Sequence, residues 1–295
     1  KIHELPRIGS PVDFYELDDV LREDADKYKM YIFLNPFSID TRERRLIKER
    51  LQRDGNTLVW IYAPGLINPD DSPALSLEHM KELTGISFNY IPKRQRARIK
   101  VENYSDPLTL SLPRETEFGD FERPVTSGFQ MNRDTMEPIK LPPVMVNPVF
   151  YVEDPDAIVL GRFIQSGKPG FAVKRFEDWT SVYVGSLSVG SHILRAIAKA
   201  AGVHLYDEAD DIIYANQSFL AIHTNKAGER IVNLPRKTDL YEVFDDQVLG
   251  RNINRLKLNL GLRLQFRHRF PRLRMNLSLS SVNRLLAWSL IPVGL

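Results

Sequence analysis

Two apolar runs of strand length, 28–34 (YKMYIFL) and 57–62 (TLVWIY), stand on either side of one helix-length polar stretch. A run without a polar face has to be covered on both sides, as at the centre of a sheet packed between helices. Asn35-Pro36 closes the first run, and Ser38 or Asp40 can cap a helix reaching about Asp54. Leu46, Ile47 and Leu51 recur there at helical spacing, and Gly55 offers a left-handed stop. After the second run, Ala63-Pro64-Gly65 breaks the chain, and 76–83 forms the next helix before Gly85. Strand, helix, strand, loop, helix at this spacing predicts βαβ units, hence an α/β fold with a mostly parallel sheet flanked by helices.

Upstream, 11–15 reads as a short strand entering a polar turn and helix from Glu16 to Leu21. Residues 93–147 break the pattern. A basic stretch at 93–100 (KRQRARIK) leads into proline-rich sequence, expected to form short strands and long loops inserted into the core or set on its edge. Core-like runs return at 157–163 (AIVLGRF), 170–175 (GFAVKR) and 181–184 (SVYV), before a helix at about 191–201 and a short strand at 203–206. Residues 212–214, 219–223 and 230–234 have the spacing of three small antiparallel strands. From Leu256 to Phe266 every even position is Leu or Phe and odd positions are Lys, Asn, Gly, Arg or Gln, so a strand there has one apolar and one basic face. Three readings stay open for it: an edge hairpin against the sheet, a membrane-surface or barrel-like strand, or translation out of frame. The expected organisation is one α/β domain over 1–250 with extra C-terminal strands, and a basic, leucine-rich tail, 251–295, whose order is open.

Length allows one large domain or two small ones. The absence of cysteine excludes disulfides, thiolate nucleophiles and Cys-ligated metal clusters. Lys1 is not followed by an apolar leader, so the chain is expected to be a processed product or fragment of a soluble protein, from the bacterial cytoplasm or exported. No run approaches the roughly 18 apolar residues of a membrane-crossing helix. The formal charge of +2 hides an asymmetry: 251–295 holds nine Lys and Arg and no acid, leaving 31 basic against 38 acidic residues in the body. Nucleic-acid or membrane binding by the whole chain loses its support there.

Seven segments taken together carry a family resemblance: 11–21 (PVDFYELDDVL), 28–35 (YKMYIFLN), 59–66 (VWIYAPGL), 156–163 (DAIVLGRF), 201–206 (AGVHLY), 219–224 (FLAIHT) and 230–235 (RIVNLP). This set resembles the C-terminal half of bacterial glycoside hydrolases related to family 42 β-galactosidases, where a class I glutamine amidotransferase-like domain follows the catalytic barrel. The resemblance implies a flavodoxin-like, Rossmannoid sheet and a part in subunit assembly, since this domain makes trimer contacts in the β-galactosidases. It also implies a homo-oligomer, a catalytic barrel upstream of Lys1, a carbohydrate substrate for the parent enzyme, and no cofactor.

Amidotransferase chemistry needs a cysteine on a strained strand-to-helix elbow, activated by His and Glu. The corresponding turn, Tyr62-Ala63-Pro64-Gly65, has neither Cys nor Ser, so no catalytic residue is assigned. The turn still falls at the C-terminal end of expected parallel strands, where α/β proteins bind ligands. Trp60, Tyr62 and Gly65, with the Asp18-Asp19 pair, are therefore ligand or interface candidates, the plainer roles being core aromatics and a solvated turn. His204, Tyr206 and His223 complete the candidates, His223 reading more simply as a hydrogen-bonded core histidine. Gly185-Ser-Leu-Ser-Val-Gly190 fails as a phosphate loop because Ser191-His192, not Lys and Ser/Thr, follow its last glycine. Backbone amides at that helix start remain able to hold an anion. His204, Asp207, Glu208, Asp210 and Asp211 are the densest hard-metal ligands, but no glycine lies within the run; a solvated acidic turn is expected and no metal is assigned. Ser181 or Ser186 with His192 or His204 lacks the G-x-S-x-G frame of a serine hydrolase.

Three functions compete: a non-catalytic structural and oligomerisation domain of a carbohydrate-active enzyme, a hydrolase using an Asp/Glu pair, and a binding module acting through the basic tail. A pocket in which Asp18, Asp19 or Glu208 faces another acid would favour the second.

Overall fold

The computed structural model describes residues 4–34, 36–120, 123–124, 140–141, 143–216, 218–224, 226–242, 247–260, 273–275 and 285–289. They fall into two compact units, one made of 1–32 and 191–289, the other of 33–190 with 290–295.

The unit formed by 33–190 is built around strand Asn56–Ile61, buried along its whole length. From it the strand order runs through Trp179–Val184, Pro169–Arg175, Ile158–Phe163 and Ile99–Val101 to Glu117–Phe118. The first pairing is parallel, and the next four are antiparallel. An α/β unit is therefore present, but its sheet is mixed, which corrects the expectation of mostly parallel strands. The physical reason lies in the connections. Residues 164–168 and 176–178 are far shorter than the dozen or so residues that a parallel crossover needs, so each run folds straight back on its neighbour. The proline-rich stretch contributes the sheet's outer strands at Ile99–Val101 and Glu117–Phe118. Its basic run is neutralised by the acids that follow, Arg98 pairing with Glu117 and Lys100 with Glu115.

Helix Thr41–Arg50 starts at Asp40 rather than Ser38. Asp40 Oδ1 accepts the Glu43 amide at 2.7 Å while Glu43 Oε2 accepts the Asp40 amide at 2.8 Å, a reciprocal capping box. Helix Leu77–Thr84 ends where Gly85 turns left-handed, with φ +71. In the core, Phe33 stacks on the fully buried Trp60 at 4.3 Å. Burying a side chain of this kind contributes about 1.5–3 kcal/mol.

The other unit holds helix Ser191–Ala200 and a five-stranded sheet. Ile212–Ala215 and Phe219–His223 pair antiparallel. The run at 230–234 is the start of a longer strand, Gly228–Glu242, paired antiparallel with Gln247–Leu260. Tyr206, Ile213, Leu220, Val232, Leu234 and Leu240 form the core, with Leu256 and Leu258 packed against it from the second long strand. The alternation read from Leu256 is thus one apolar face on a core and one face carrying exposed Arg255 and Lys257. Gly250 lies inside that strand. Residues 203–206 are irregular rather than a strand: the Tyr206 amide donates to Gly9 O at 2.7 Å and Tyr206 O accepts the Asn233 amide at 2.8 Å. Strand Val12–Tyr15 forms where the sequence places it and pairs in parallel with Leu285–Ser289. Leu273–Met275 is the fifth strand of the five-stranded sheet, antiparallel between Phe219–His223 and Gly228–Glu242; residues 261–272, including the alternation up to Phe266, and 276–284 and 290–295 lie outside the described residues. Among the described residues, no helix is long and apolar enough to cross a membrane.

Candidate functional site

The turn after strand Asn56–Ile61, called the elbow below, is left-handed at its first residue. Tyr62 takes φ +69, a left-handed conformation that a bulky residue rarely adopts. Three hydrogen bonds hold it there. Its amide donates to Val184 O at 2.9 Å, its carbonyl accepts the Tyr183 hydroxyl at 2.8 Å, and its phenol donates to Pro148 O at 2.7 Å. Burial raises the pKa of both phenols, so each stays protonated and remains a donor. Three residues on, Gly65 has φ +60, and a Cβ there would sit 2.8 Å from Leu83 Cδ2 and 3.0 Å from Arg44 Nη2.

Arg44 ties the far side of this turn. It is 2% exposed. Its Nε donates to Ile39 O at 2.9 Å, Nη1 to His79 O at 2.7 Å, and Nη2 to the carbonyls of Gly65 and Ile67. Burial lowers its pKa, opposed by Glu82 and Glu43 nearby, yet a guanidinium stays charged in a folded protein. A cleft of about 320 Å³ opens beside it, lined by Thr41, Arg45, Lys48, Glu49, Asn68 and Glu82. Its charges are paired, Lys48 with Glu82 of the next helix at 2.6 Å and Arg45 with Glu49 along its own helix at 3.3 Å.

The candidate nucleophiles around the turn are engaged. Ser181 Oγ donates to Thr84 O at 2.7 Å and accepts Trp60 Nε1 at 3.1 Å, which makes Trp60 a core residue rather than a crevice wall. Ser186 Oγ donates to Gly119 O at 2.8 Å. Trp60, Tyr62 and Gly65 belong to the unit formed by 33–190, whereas Asp18, Asp19, His204, Tyr206 and His223 belong to the other.

In that other unit the acidic run is not the solvated turn expected. Asp207 and Asp211 are buried. Asp211 pairs with Arg230; Asp210, with φ +68, accepts from Arg195 at 2.9 Å and from Ser191 Oγ; Glu208 takes Lys199 at 3.1 Å. Asp207 Oδ1 accepts the Ala209 amide at 2.6 Å. Burial pushes its carboxyl above the usual range, helped by Asp211 and opposed by the amide, Arg230 and Arg195. The physical reason is that basic side chains of three elements converge on this turn: Arg195 and Lys199 from the preceding helix, Arg230 from the long strand Gly228–Glu242, and Arg7, whose guanidinium donates to Asp210 O at 3.2 Å. Among the described residues, no three His, Asp or Glu are placed to hold a metal ion.

The remaining candidates are scattered. Asp18 and Asp19 are exposed on the short helix Leu17–Val20. His204 Nε2 lies 3.0 Å from Asn233 O and its ring packs edge-on to Tyr206 at 4.7 Å; burial lowers its pKa. Tyr206 is 1% exposed and burial raises its pKa. His223 is exposed at a strand end, not in the core, because the alternation of Phe219–His223 turns it outward. His192 is likewise exposed. At the start of helix Ser191–Ala200, the Ser191 amide donates to Glu4 Oε2 at 3.1 Å, so a carboxylate of this chain already occupies the anion position.

Arg44 is the residue that the sequence reading missed. It sits three residues before Ile47 and seven before Leu51, on the buried face of its helix, which is the signal that could have found it.

No protein-family model matches the sequence, and no curated protein matches it significantly. Among solved structures, the chain is similar to Gan42B, a GH42 β-galactosidase from G. stearothermophilus, at 13% identity and a TM-score of 0.54, over 92% of this chain and 35% of that one. It is similar to a β-galactosidase from Rahnella sp. R3 at 14% identity and a TM-score of 0.52, over 92% and 35%. A β-galactosidase from Bacillus circulans sp. alkalophilus gives 13% identity and a TM-score of 0.52 over 86% and 34%. These likenesses establish a fold shared with part of the β-galactosidases. The chain spans about a third of the length of these enzymes.

Proposed function

We propose that this chain is the non-catalytic, class I amidotransferase-like assembly domain of a β-galactosidase-like glycoside hydrolase related to family 42. The observation that carries the reading is the elbow. A strand-end residue is held left-handed at the position an amidotransferase gives to its nucleophile, but the residue is Tyr62, its phenol is committed to Pro148 O, and the chain has no thiol. Every polar atom of Tyr62 is closed off by a hydrogen bond, as expected of a turn that does no chemistry. The fold shared with a third of several β-galactosidases supports the same reading. A flavodoxin-like ancestry, with the meander of 158–184 added beside the parallel pair, fits the mixed sheet.

On this reading, the parent enzyme carries its acid/base and nucleophile carboxylates in a barrel outside this chain and acts on a carbohydrate. The domain's work is to hold subunits together. Sedimentation of the purified chain across a hundredfold concentration range tests it. Reversible self-association is expected; a monomer throughout would remove the assembly role.

A further inference from the structure

Every residue that lines the cleft beside Arg44 is polar or charged. We propose that this cleft binds a small, singly charged carboxylate that also bears hydroxyl groups. The site is independent of the assembly role.

Its position follows from helix Thr41–Arg50. Thr41, Arg44, Arg45 and Lys48 stand at i, i+3, i+4 and i+7, the spacing at which a helix packed on a core places an apolar stripe. Leu46 and Ile47 already supply the helix's buried apolar contacts. The face beside them is instead a hydroxyl and three bases. Across the cleft stand Asn68, 5% exposed, and Glu82 of helix Leu77–Thr84. At about 320 Å³ the cleft has the size of a small-molecule site. A packing flaw of that volume would be an apolar void, and this is a polar one.

Arg44 favours an anion there. A guanidinium has five N–H donors, and Arg44 gives four hydrogen bonds, all to carbonyls. Its ion pair with a wall of the cleft, Nη1 to Glu82 Oε2, is 3.9 Å long and beyond hydrogen-bond reach. Glu82 is drawn elsewhere, its Oε1 taking Lys48 at 2.6 Å. A deeply buried cation thus borders the cleft with its one facing carboxylate held too far away. A ligand carboxylate between Arg44, Arg45 and Lys48 closes that distance. It would loosen only the pairs Lys48–Glu82 and Arg45–Glu49, whose side chains are all more than a third exposed. Such pairs contribute little, and a charge-assisted hydrogen bond from a buried guanidinium returns more.

The balance of charge sets the rest. Three bases line the cleft against two acids, Glu49 and Glu82, which leaves one positive charge in excess. One negative charge neutralises it; a dianion would set its second charge against the two carboxylates. Those carboxylates only accept hydrogen bonds, so the ligand has to bring donors, and hydroxyl groups are donors. Asn68 Nδ2, donating to Thr41 Oγ1 at 3.2 Å, completes the polar wall.

Isothermal titration calorimetry of the intact chain with lactate, at an ionic strength fixed with chloride, tests the proposal. Lactate has one carboxylate and one hydroxyl; lactamide has nearly the same shape and no charge. Lactate is expected to bind in the millimolar range, as a ligand so small can, lactamide not to bind, and sulfate to bind more weakly. Lys48→Gln and Arg45→Gln are each expected to weaken lactate about tenfold, the loss of one charge-assisted hydrogen bond. Arg53→Gln removes an exposed base that pairs with Asp54 outside the cleft, and is expected to bind as the parent chain does. Near-ultraviolet circular dichroism of the three variants checks that they fold. No saturable heat from lactate overturns the proposal, as does lactamide binding equally well. Lactate affinity that Lys48→Gln and Arg45→Gln leave unchanged, or that Arg53→Gln lowers as much, places the anion elsewhere and overturns it too. Sulfate binding more tightly than lactate overturns the single charge.

Discussion

The elbow at Tyr62–Gly65 and the acidic turn at Asp207–Asp211 are both irregular segments built on a buried charge, and they handle it in opposite ways. Arg44 gives its guanidinium hydrogens to four backbone carbonyls, so its desolvation is met by fixed dipoles. Asp207 is as deeply buried, but there burial outweighs the Ala209 amide and, with Asp211 adding to it, pushes the carboxyl toward the protonated form. A buried charge met by enough dipoles pins a loop; one whose desolvation is not offset makes its segment sensitive to pH. The elbow is therefore expected to be the rigid region and the acidic turn the adjustable one.

The largest effect should come from the pinned charge. Arg44→Met keeps the volume and strands four carbonyls, and is expected to lower unfolding free energy by about 3–5 kcal/mol in urea denaturation. A loss below about 1 kcal/mol would mean that the elbow does not depend on that cation. Gly65→Ala comes next. The added methyl meets Leu83 and Arg44 and has to adopt φ +60, so a loss of about 2 kcal/mol is expected.

Asp207→Asn should act in the other direction. Its folded carboxyl titrates above the ordinary carboxylate value, so the folded state gains from the proton at low pH and loses that gain as pH rises through the raised value. The amide keeps an acceptor for the Ala209 N–H and removes the charge. The variant is expected to be more stable at neutral pH by about 1–2 kcal/mol, and its advantage should vanish below about pH 4. An advantage that persists in acid, or a loss at pH 7, would show that the Asp207 charge is welcome where it sits. The smallest effect belongs to the surface. Removing the half-exposed Lys199 that pairs with Glu208 should change stability by under about 0.5 kcal/mol.

Sequence periodicity alone gave the elements of the elbow region, and gave little of the acidic turn. The apolar runs at 28–34 and 57–62, the Asp40 cap and the Gly85 stop each act within a few residues, so local patterning carries them. Strand direction does not work that way. A run such as 170–175 reads the same in a parallel or an antiparallel sheet, and only the short links before and after it show that it reverses. At Asp207–Asp211, four charged residues look like a solvated loop because Arg7, Arg195, Lys199 and Arg230, which neutralise them, are supplied by the tertiary fold. Asp18, Asp19 and His223 lie on the surface, where residue type and local pattern give no account of what surrounds them; Tyr62, at the end of a buried strand, lies where the backbone turns left-handed.

Turnover by the purified chain is the most direct test of a closed elbow. Release of nitrophenol from p-nitrophenyl β-D-galactoside and of ammonia from glutamine should both stay at the buffer rate across pH 5–9, for the parent chain and for Tyr62→Phe alike. A rate that co-purifies with the chain and falls when the Tyr62 hydroxyl is removed would contradict it.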